Sequence, residues 1–315
     1  MSPASARGPG LAPYLVLAVA PLCWAGNIVL ARGVADLIAP VAFAFFRWTL
    51  ATLVILPLAL RQAAQDRREI RRGWKRLLLL ALLGIAGFNT LLYAAVHTTT
   101  AINGALIQTS MPAVIVLLGL LFHRETVSRL QLAGVLLCVA GAAAIVLRGD
   151  AARLQELDVV PGDLLMAVAV VLYALYSTLL RRRPPIHPLS LLAATFFLGA
   201  AALLPAFLVE CAFRGFPAID GRVALSVLYV ALFPSIVAYF CWNRGVDRLG
   251  PSRAGLFINL IPVFAALLSV GLLGERLQGF HLAGMGLIAC GMALFYRRGA
   301  PAGGRPGFAV SRKPE

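Results

Sequence analysis

Acidic residues are scarce in this sequence. The chain has 13 Asp and Glu among 315 residues, against 28 Lys and Arg, and none of the acids lies in the middle of a long apolar run. Charged residues make up 13% of the composition, which is about half the share that soluble domains carry. The shortage argues against a soluble domain and leaves no carboxylate within an apolar run for a proton relay.

Sequence signatures of enzymes and metal sites are absent as well. The five cysteines stand singly, without a CxxC pair, and are interpreted as small buried hydrophobes. Walker, GxSxG and HExxH patterns do not occur. We therefore expect no enzyme, no metal and no cofactor. The net charge of +15 does not indicate a nucleic-acid partner, because the basic residues form short clusters between apolar runs and no basic face.

Long apolar runs are abundant. The chain is 60% hydrophobic, with a mean hydropathy of +0.86. Several windows approach the ~20 residues that a helix needs to cross a bilayer. These windows cover residues 13–32, 40–60, 75–96, 101–122, 130–147, 162–180, 188–210, 222–243, 253–273 and 279–296. The sequence therefore predicts an all-α integral membrane protein with ten transmembrane helices in contact with lipid.

The sequence contains an internal duplication. Residues 104–146 align without a gap onto 254–296, with 11 identities in 43 positions that include proline, glutamate and glycine. Residues 17–32 align with 166–181, so each copy comprises five helices. A repeat of this length indicates duplication of a folding unit. Because five is odd, the second copy must enter the membrane from the opposite side, as in the inverted repeats of secondary transporters.

Lys and Arg predict the orientation. The tails and loops on the side of both termini hold 21 of these 28 residues, the opposite loops hold 6, and Arg47 lies inside span 2. Basic residues favour the cytoplasmic side, so we expect both termini in the cytoplasm and the protein in the cytoplasmic (inner) membrane. The expected organisation is a disordered tail (1–12), a first repeat (13–147), a linker loop (148–161), a second repeat (162–296) and a disordered tail (297–315).

Both repeats carry a polar stripe on one face of their third helix. The stripes consist of Asn89, Tyr93 and His97 in span 3 and of Ser235, Tyr239 and Asn243 in span 8, each spaced by four. At the repeat offset of 150, Asn89 falls on Tyr239 and Tyr93 on Asn243. Polar residues deep in a membrane tend to face a cavity, so we predict a shared substrate cavity, with helix-to-helix hydrogen bonding as the alternative. His97 is expected nearer the exit.

Aromatic residues form a second matched set. Trp24 and Asn27 in span 1 align with Tyr173 and Tyr176 in span 6. Aromatic rings with a few polar groups suit a pocket for a flat or apolar substrate. Core packing is the alternative interpretation.

Proline interrupts spans 4 and 9. Pro112 and Pro262 remove the helical hydrogen bonds to the carbonyls of Gln108 and Ile258, and Gln108 and Asn259 lie beside these breaks. A hinge, a ligand contact and a structural kink are all consistent with the pattern.

Arg47 is the only charged residue placed well inside a predicted span. It needs a partner or a polar route to the surface; it either binds a substrate carboxylate or ties helix ends together through backbone carbonyls. Glu125 and Glu275 occupy matched positions after spans 4 and 9, where a structural cap or a gate is expected.

The chain resembles the EamA branch of the drug/metabolite transporter superfamily. The resemblance is carried by the segment from Trp24 to Asn27, by Arg47, and by the paired segments Pro112 to Glu125 and Pro262 to Glu275. It implies a central cavity lined by helices 1, 3, 4, 6, 8 and 9. It also implies export of small metabolites, amino acids and aromatic amino acids among them.

The last helix of each repeat carries a matched pair of glycines. Gly134 with Gly141, and Gly284 with Gly291, lie two turns apart on one face, which permits close helix approach. These faces predict either mutual packing of helices 5 and 10 or a homodimer contact.

These patterns predict a secondary transporter that moves a small organic molecule by alternating access. Amino acid export is the leading assignment, and another metabolite or a drug-like compound is the alternative. A scaffold or receptor would have no use for duplicated polar stripes, and a lipid-modifying enzyme would need a charged cluster that the sequence lacks.

Overall fold

The computed structural model describes residues 11–99, 101–123, 127–150, 152, 155, 160–273 and 277–297, and these residues form helices and turns without a strand. The helices are labelled α1 (Ala12–Gly33), α2 (Pro40–Gln65), α3 (Trp74–Thr98), α4 (Ala101–Thr109 and Met111–His123), α5 (Arg129–Val146), α6 (Pro161–Leu179), α7 (Pro188–Arg214), α8 (Gly221–Leu249), α9 (Pro251–Gly255, Leu256–Asn259 and Leu260–Leu273) and α10 (Gly279–Arg297). A short surface helix, Arg67–Arg72, connects α2 to α3.

The helices have the length and composition of membrane spans. Eight described helices are long and apolar enough to cross a bilayer, and two shorter apolar stretches, Ala12–Asn27 and Leu106–Phe122, lie where spans 1 and 4 are predicted. Large apolar side chains such as Leu53, Leu58 and Phe197 are more than half exposed. The outer surface is therefore suited to lipid.

Proline positions explain where several helices begin. Pro40, Pro161, Pro188 and Pro251 each occupy the first residue of a helix. Proline is favoured there because its fixed φ suits a helix and the first N–H groups have no helical acceptor anyway.

Proline also marks the breaks in α4 and α9. The helix of α4 is interrupted at Ser110, two residues before Pro112. The matching part of α9, Leu256–Asn259, is a 3₁₀ segment three residues before Pro262. Both breaks place irregular backbone in the middle of the bundle, which membrane helices tolerate only where neighbours or a cavity satisfy the freed polar groups.

Two π-helical segments occupy matched places. Leu82–Gly87 lies within α3 and Ala231–Val237 within α8, so the repeat offset of 150 superimposes them. A π-segment widens the turn and frees carbonyl groups from regular pairing, and such segments are frequent at functional sites. The polar stripes begin within or directly after these segments.

The two halves interlock. α1 packs mainly on α8 and α9, and its repeat mate α6 packs on α3 and α4. α2 packs along its own mate α7, and α5 along its mate α10. The core of the bundle is therefore formed by α1, α3, α6 and α8, with α5 and α10 at the periphery.

The glycine faces of α5 and α10 pack against each other within the chain. A Cβ atom on Gly134 would lie 2.6 Å from the carbonyl oxygen of Gly291, and one on Gly141 would lie 2.6 Å from that of Gly284. Early residues of α5 thus meet late residues of α10, so these mates run antiparallel, which is the relation that an inverted repeat requires. Mutual packing, rather than a dimer contact, uses the glycine faces; a homodimer through the outer faces of these helices stays a prediction.

Candidate functional site

Arg47 lies at the centre of the bundle, with 1% of its surface exposed. Its Nε donates to Ser235 Oγ at 2.6 Å, and its Nη1 donates to Asn89 Oδ1 at 2.8 Å and to Tyr93 Oη at 2.6 Å, with Asn27 Oδ1 at 3.4 Å. These partners belong to α1, α3 and α8. One guanidinium therefore joins helices of both halves.

The partners of Arg47 correct one alternative from the sequence. Backbone carbonyls do not bind its guanidinium in the described part of the chain; all four acceptors are neutral side-chain oxygens. The guanidinium also lies 4.6 Å from the ring centroid of Trp48, a distance typical of a cation–π contact. Side chains replace the carbonyls because Arg47 is two turns inside α2 and faces the polar stripes, away from helix ends.

The repeat mates Asn89 and Tyr239 meet beside this group. Asn89 Nδ2 donates to the carbonyls of Gly84 and Ile85 at 3.2 and 3.1 Å and lies 3.4 Å from Tyr239 Oη. The hydroxyl of Tyr239 donates to the same carbonyl of Gly84. The π-segment of α3 thus supplies the carbonyls that hold both side chains in place.

Aromatic mates also meet. The rings of Trp24 and Tyr173 are in edge contact, with centroids 5.6 Å apart, and Trp24 Nε1 donates to the carbonyl of Pro234 in the π-segment of α8 at 3.0 Å. Phe88 packs on Tyr173 with centroids 4.7 Å apart. Residues close to a two-fold pseudo-axis are expected to contact their own mates, so the axis passes through this layer.

A small cavity occupies the same layer. Its volume is about 20 Å³, which is room for about one water molecule. Its walls are formed by Trp24, Asn27, Arg47, Phe88, Asn89, Leu92, Gln108, Met111, Tyr173, Tyr239, Ile258 and Ile261. These residues come from α1, α2, α3, α4, α6, α8 and α9, and the cavity lies between the halves.

Hydrogen bonds close the bundle toward the end that holds the C-terminal ends of α6 and α8. Tyr176 Oη donates to Asn243 Oδ1 at 2.7 Å, and Trp242 Nε1 donates to Ser177 Oγ at 3.2 Å. One turn further, Arg183 and Asp247 form an ion pair with 2.6 Å between Nη2 and Oδ2.

The opposite end carries a larger depression of about 380 Å³. His97 borders it together with Asp36, Glu210 and Arg214. Glu210 accepts hydrogen bonds from the backbone N–H groups of Val41 and Ala42 at 3.3 and 2.7 Å, so it caps the helix that carries Arg47. The exposed His97 thus lies at this depression, apart from the central cavity.

The structure divides the predicted substrate-binding residues into three groups. The central cavity brings together Trp24, Asn27, Asn89, Gln108, Tyr173 and Tyr239. Tyr93, Tyr176 and Asn243 are buried one turn away and hold the links described above. Asn259 is buried in the 3₁₀ segment of α9, with no hydrogen-bond partner for either side-chain polar atom among the described residues.

Some predictions concern the gating positions. Pro112 and Pro262 adjoin the breaks in α4 and α9 and do not border the cavity. Glu125 and Glu275 lie outside the described residues. The roles proposed for these two prolines and two glutamates stay predictions.

The sequence patterns missed the apolar walls. Phe88, Leu92, Met111, Ile258 and Ile261 border the cavity, but apolar residues in an apolar chain carry no distinguishing signal. Leu92 alone had one, since it follows Asn89 by three residues and therefore shares its helix face. Asp163 was also missed: it accepts from the Thr99 hydroxyl and from the N–H of Val160 at the start of α6.

Comparison with known proteins identifies the family. The model of EamA-like transporters matches the chain twice, over residues 11–147 and 160–297. The chain belongs to the EamA-like transporter family. It is therefore a multi-pass membrane transporter, and its two family matches correspond to the two halves of the bundle.

Relatives of this EamA-like protein share most of its length. It is 27% identical over 264 residues to the uncharacterized transporter YyaM of Bacillus subtilis, covering 84% of this chain and 86% of YyaM. It is 26% identical over 254 residues to a probable terminal-alkyne amino-acid exporter of Streptantibioticus cattleyicolor, covering 79% and 83% of the two chains. A crystal structure of a protein 21% identical superposes with a TM-score of 0.74, covering 91% of this chain and 99% of the other. That likeness concerns the fold alone.

Proposed function

We propose that this protein exports a small organic metabolite across the cytoplasmic membrane by alternating access, with amino acids as the leading substrate class. The observation that carries the proposal is the central cavity between the two halves, bordered by aromatic rings, amides and Arg47. Sites in secondary transporters with inverted repeats lie at this place, near the membrane midplane. The family and the amino-acid exporter relative support the same class.

The small volume of the cavity supports alternating access. About 20 Å³ is far below the roughly 300 Å³ of pockets that hold drug-sized ligands. An amino acid therefore enters only if the helices around the cavity separate. The hydrogen bonds on either side, Asn27 with Tyr93 and Tyr176 with Asn243, lie where two gates would open in turn.

The distribution of Lys and Arg gives the proposed orientation of the protein in the membrane. With both termini in the cytoplasm, the Tyr176–Asn243 link and the Arg183–Asp247 pair form the cytoplasmic gate. The depression at His97 and Glu210 then faces the outside.

The experiment is flux from proteoliposomes loaded with a mixture of amino acids and small metabolites. Asn89→Ala and Tyr239→Ala are expected to abolish flux, because both residues border the cavity. Leu53→Ala is the control, since Leu53 is 64% exposed on the lipid-facing surface of α2. The absence of flux for every solute in folded protein would contradict the proposal.

The same flux measurement is repeated with a pH gradient across the membrane. Flux that the gradient leaves unchanged indicates a carrier without proton coupling, as the lack of an acid on the cavity wall predicts. Acceleration by the gradient would direct attention to His97 and Glu210 at the outer mouth.

A further inference from the structure

Within the described part of the chain, the central charge of Arg47 has no acidic partner. None of the described acids lies within 4.0 Å of the Arg47 guanidinium, and no acid borders the cavity. Arginine keeps its charge in proteins. A buried cation held only by neutral oxygens retains a strong field in a medium of low dielectric constant. The cavity is therefore an electropositive site that an anion would neutralise.

Hydrogen-bond donors without partners also border this cavity. The Nη2 of Arg47 makes no hydrogen bond with the described residues, since the contacts of its guanidinium involve Nε and Nη1. The Nε2 of Gln108 and the hydroxyl of Tyr173 are buried and have no partner either. The acceptors of Asn27 and Asn89 are already bonded to Arg47. Unpaired donors beside a cavity that no described carboxylate borders suit a ligand that brings acceptor oxygens.

The other walls of the cavity are apolar. Phe88, Leu92 and Met111 lie on one half, and Ile258 and Ile261 on the other. Such walls favour a ligand with an aliphatic or aromatic body. An ammonium group would meet the guanidinium with no carboxylate to offset the repulsion.

We infer that Arg47 binds the carboxylate of the substrate, and that the site prefers organic monoanions with an apolar body over zwitterions and amines. Gln108 Nε2 and the Tyr173 hydroxyl complete the set of donors for the carboxylate oxygens. This inference rests on the proposed export of a small organic metabolite, and within that function it puts organic monoanions in the place of amino acids as the leading substrate class.

The membrane potential acts on a transported anion. Moving a monoanion past a fixed arginine transfers one negative charge per cycle, whereas a zwitterion transfers none. A potential of 100 mV, negative inside, then drives the anion outward to a concentration ratio on the order of 50-fold. Export would need no coupling ion.

The test uses four probes with one carbon skeleton in proteoliposomes: 3-phenylpropionate, phenylalanine, 3-phenylpropionamide and 3-phenylpropylamine. At pH 7 the carboxylates are ionised, because free carboxyl groups have pKa values near about 4. For the wild-type protein we expect flux of 3-phenylpropionate to exceed that of the amide and the amine by on the order of 100-fold, and to exceed that of phenylalanine. A valinomycin-imposed potential should accelerate the flux of 3-phenylpropionate and leave that of phenylalanine unchanged.

Variants of Arg47 test whether this residue is the source of the preference for a carboxylate. Arg47→Gln should reduce the preference for carboxylate over amide to about twofold or less, whereas Arg47→Lys should retain part of it because it keeps the charge. Thr195→Val on α7 is the control, since Thr195 lies in the matching helix and bonds only its own helix. If Arg47→Gln does not fold, the wild-type comparison of the four probes decides alone.

Three outcomes would overturn the inference. Phenylalanine transported as well as or better than 3-phenylpropionate would leave amino acid export standing without monoanion preference. Equal flux of the amide and the carboxylate would remove Arg47 from recognition while leaving a carrier. No flux of any probe, or of the amino acid mixture, would refute both the inference and the proposed function.

Discussion

Each half of the bundle contains a hydrogen bond from a tyrosine to an asparagine, and the two residue types exchange positions between the halves. In the first half, Tyr93 Oη donates to Asn27 Oδ1 at 3.2 Å; in the second, Tyr176 Oη donates to Asn243 Oδ1 at 2.7 Å. The repeat offsets place Tyr176 on Asn27 and Asn243 on Tyr93. Each bond joins the first and third helices of its half, and the two lie on opposite sides of the cavity.

The halves differ in charge. Pro40 and Pro57 of α2 align with Pro188 and Pro205 of α7 at an offset of 148, which places Thr195 at the position of Arg47. The hydroxyl of Thr195 donates to the carbonyl of Leu191 in its own helix at 2.8 Å and brings no charge. Of these two links, the guanidinium therefore contacts only the one between Asn27 and Tyr93. The duplication produced a symmetric frame, and Arg47 gives one half a charge that Thr195 does not bring to the other.

The largest effect in this comparison is expected at Asn89. Its side chain bonds Arg47, two carbonyls of the π-segment and Tyr239. Asn89→Leu removes one acceptor from the buried cation and the side-chain donor from the carbonyl of Ile85, whereas the carbonyl of Gly84 keeps Tyr239, so we expect the free energy of unfolding to fall by about 2–4 kcal/mol. Thermal or SDS unfolding of the purified protein measures it. A loss below that of Tyr239→Phe would contradict the central role of the first half.

A smaller effect is expected where the halves pack by shape alone. In Gly141→Val the new Cβ would lie 2.6 Å from the carbonyl oxygen of Gly284, so α5 and α10 must separate. Overpacking of this kind costs about 1–3 kcal/mol, while the substrate preference of surviving protein stays unchanged because α5 and α10 do not border the cavity. Ala140→Val on the exposed face of the same helix is the control. An altered preference would mean that the periphery and the cavity are coupled.

The matched links permit a direct comparison of the halves. Tyr93→Phe removes a bond to a charged donor, worth about 1.5–3 kcal/mol, whereas Tyr176→Phe removes one neutral bond, worth about 0.5–1.5 kcal/mol. We expect the first variant to unfold at the lower temperature. Equal losses would show that Arg47 does not distinguish the halves energetically.

The smallest effect is expected at the proposed cytoplasmic gate. Arg183 and Asp247 have 16% and 31% of their side-chain surfaces exposed, and ion pairs at such sites contribute at most about 1 kcal/mol. Asp247→Asn should therefore barely change unfolding, yet it should ease opening of this gate. Faster labelling of a cysteine introduced at Ser177, in a background without other cysteines, checks the opening. Unchanged labelling would separate the ion pair from the gate.

Much of the scaffold could be predicted from local patterns. Hydropathy located the spans because the bilayer sets helix length, and the duplication indicated the repeat because its register has no gap. The stripes were also predicted, since four-residue spacing defines a helix face. Their division into cavity walls and gate links could not be predicted, because Asn89 and Tyr93 share one face and differ only in what lies opposite.

The π-segments had weak signals in the sequence. Gly84 and Gly87 in α3 and Pro234 in α8 break the regular apolar pattern, but glycine and proline are common in membrane helices. Whether such residues produce a π-turn depends on the partners available to the freed carbonyls. Those partners, Asn89 and Tyr239 for Gly84, come from two different helices.

The sequence by itself determined an all-helical, duplicated membrane protein with a buried Arg47 that required a partner, because the cost of placing a charge in lipid does not depend on the fold. Only the tertiary structure decided which partners it has. Ser235, Asn89, Tyr93 and Asn27 lie up to 188 residues away along the chain, and no local pattern sets such distances. Their neutrality, and the absence of an acid on the described cavity wall, are properties of how seven helices meet.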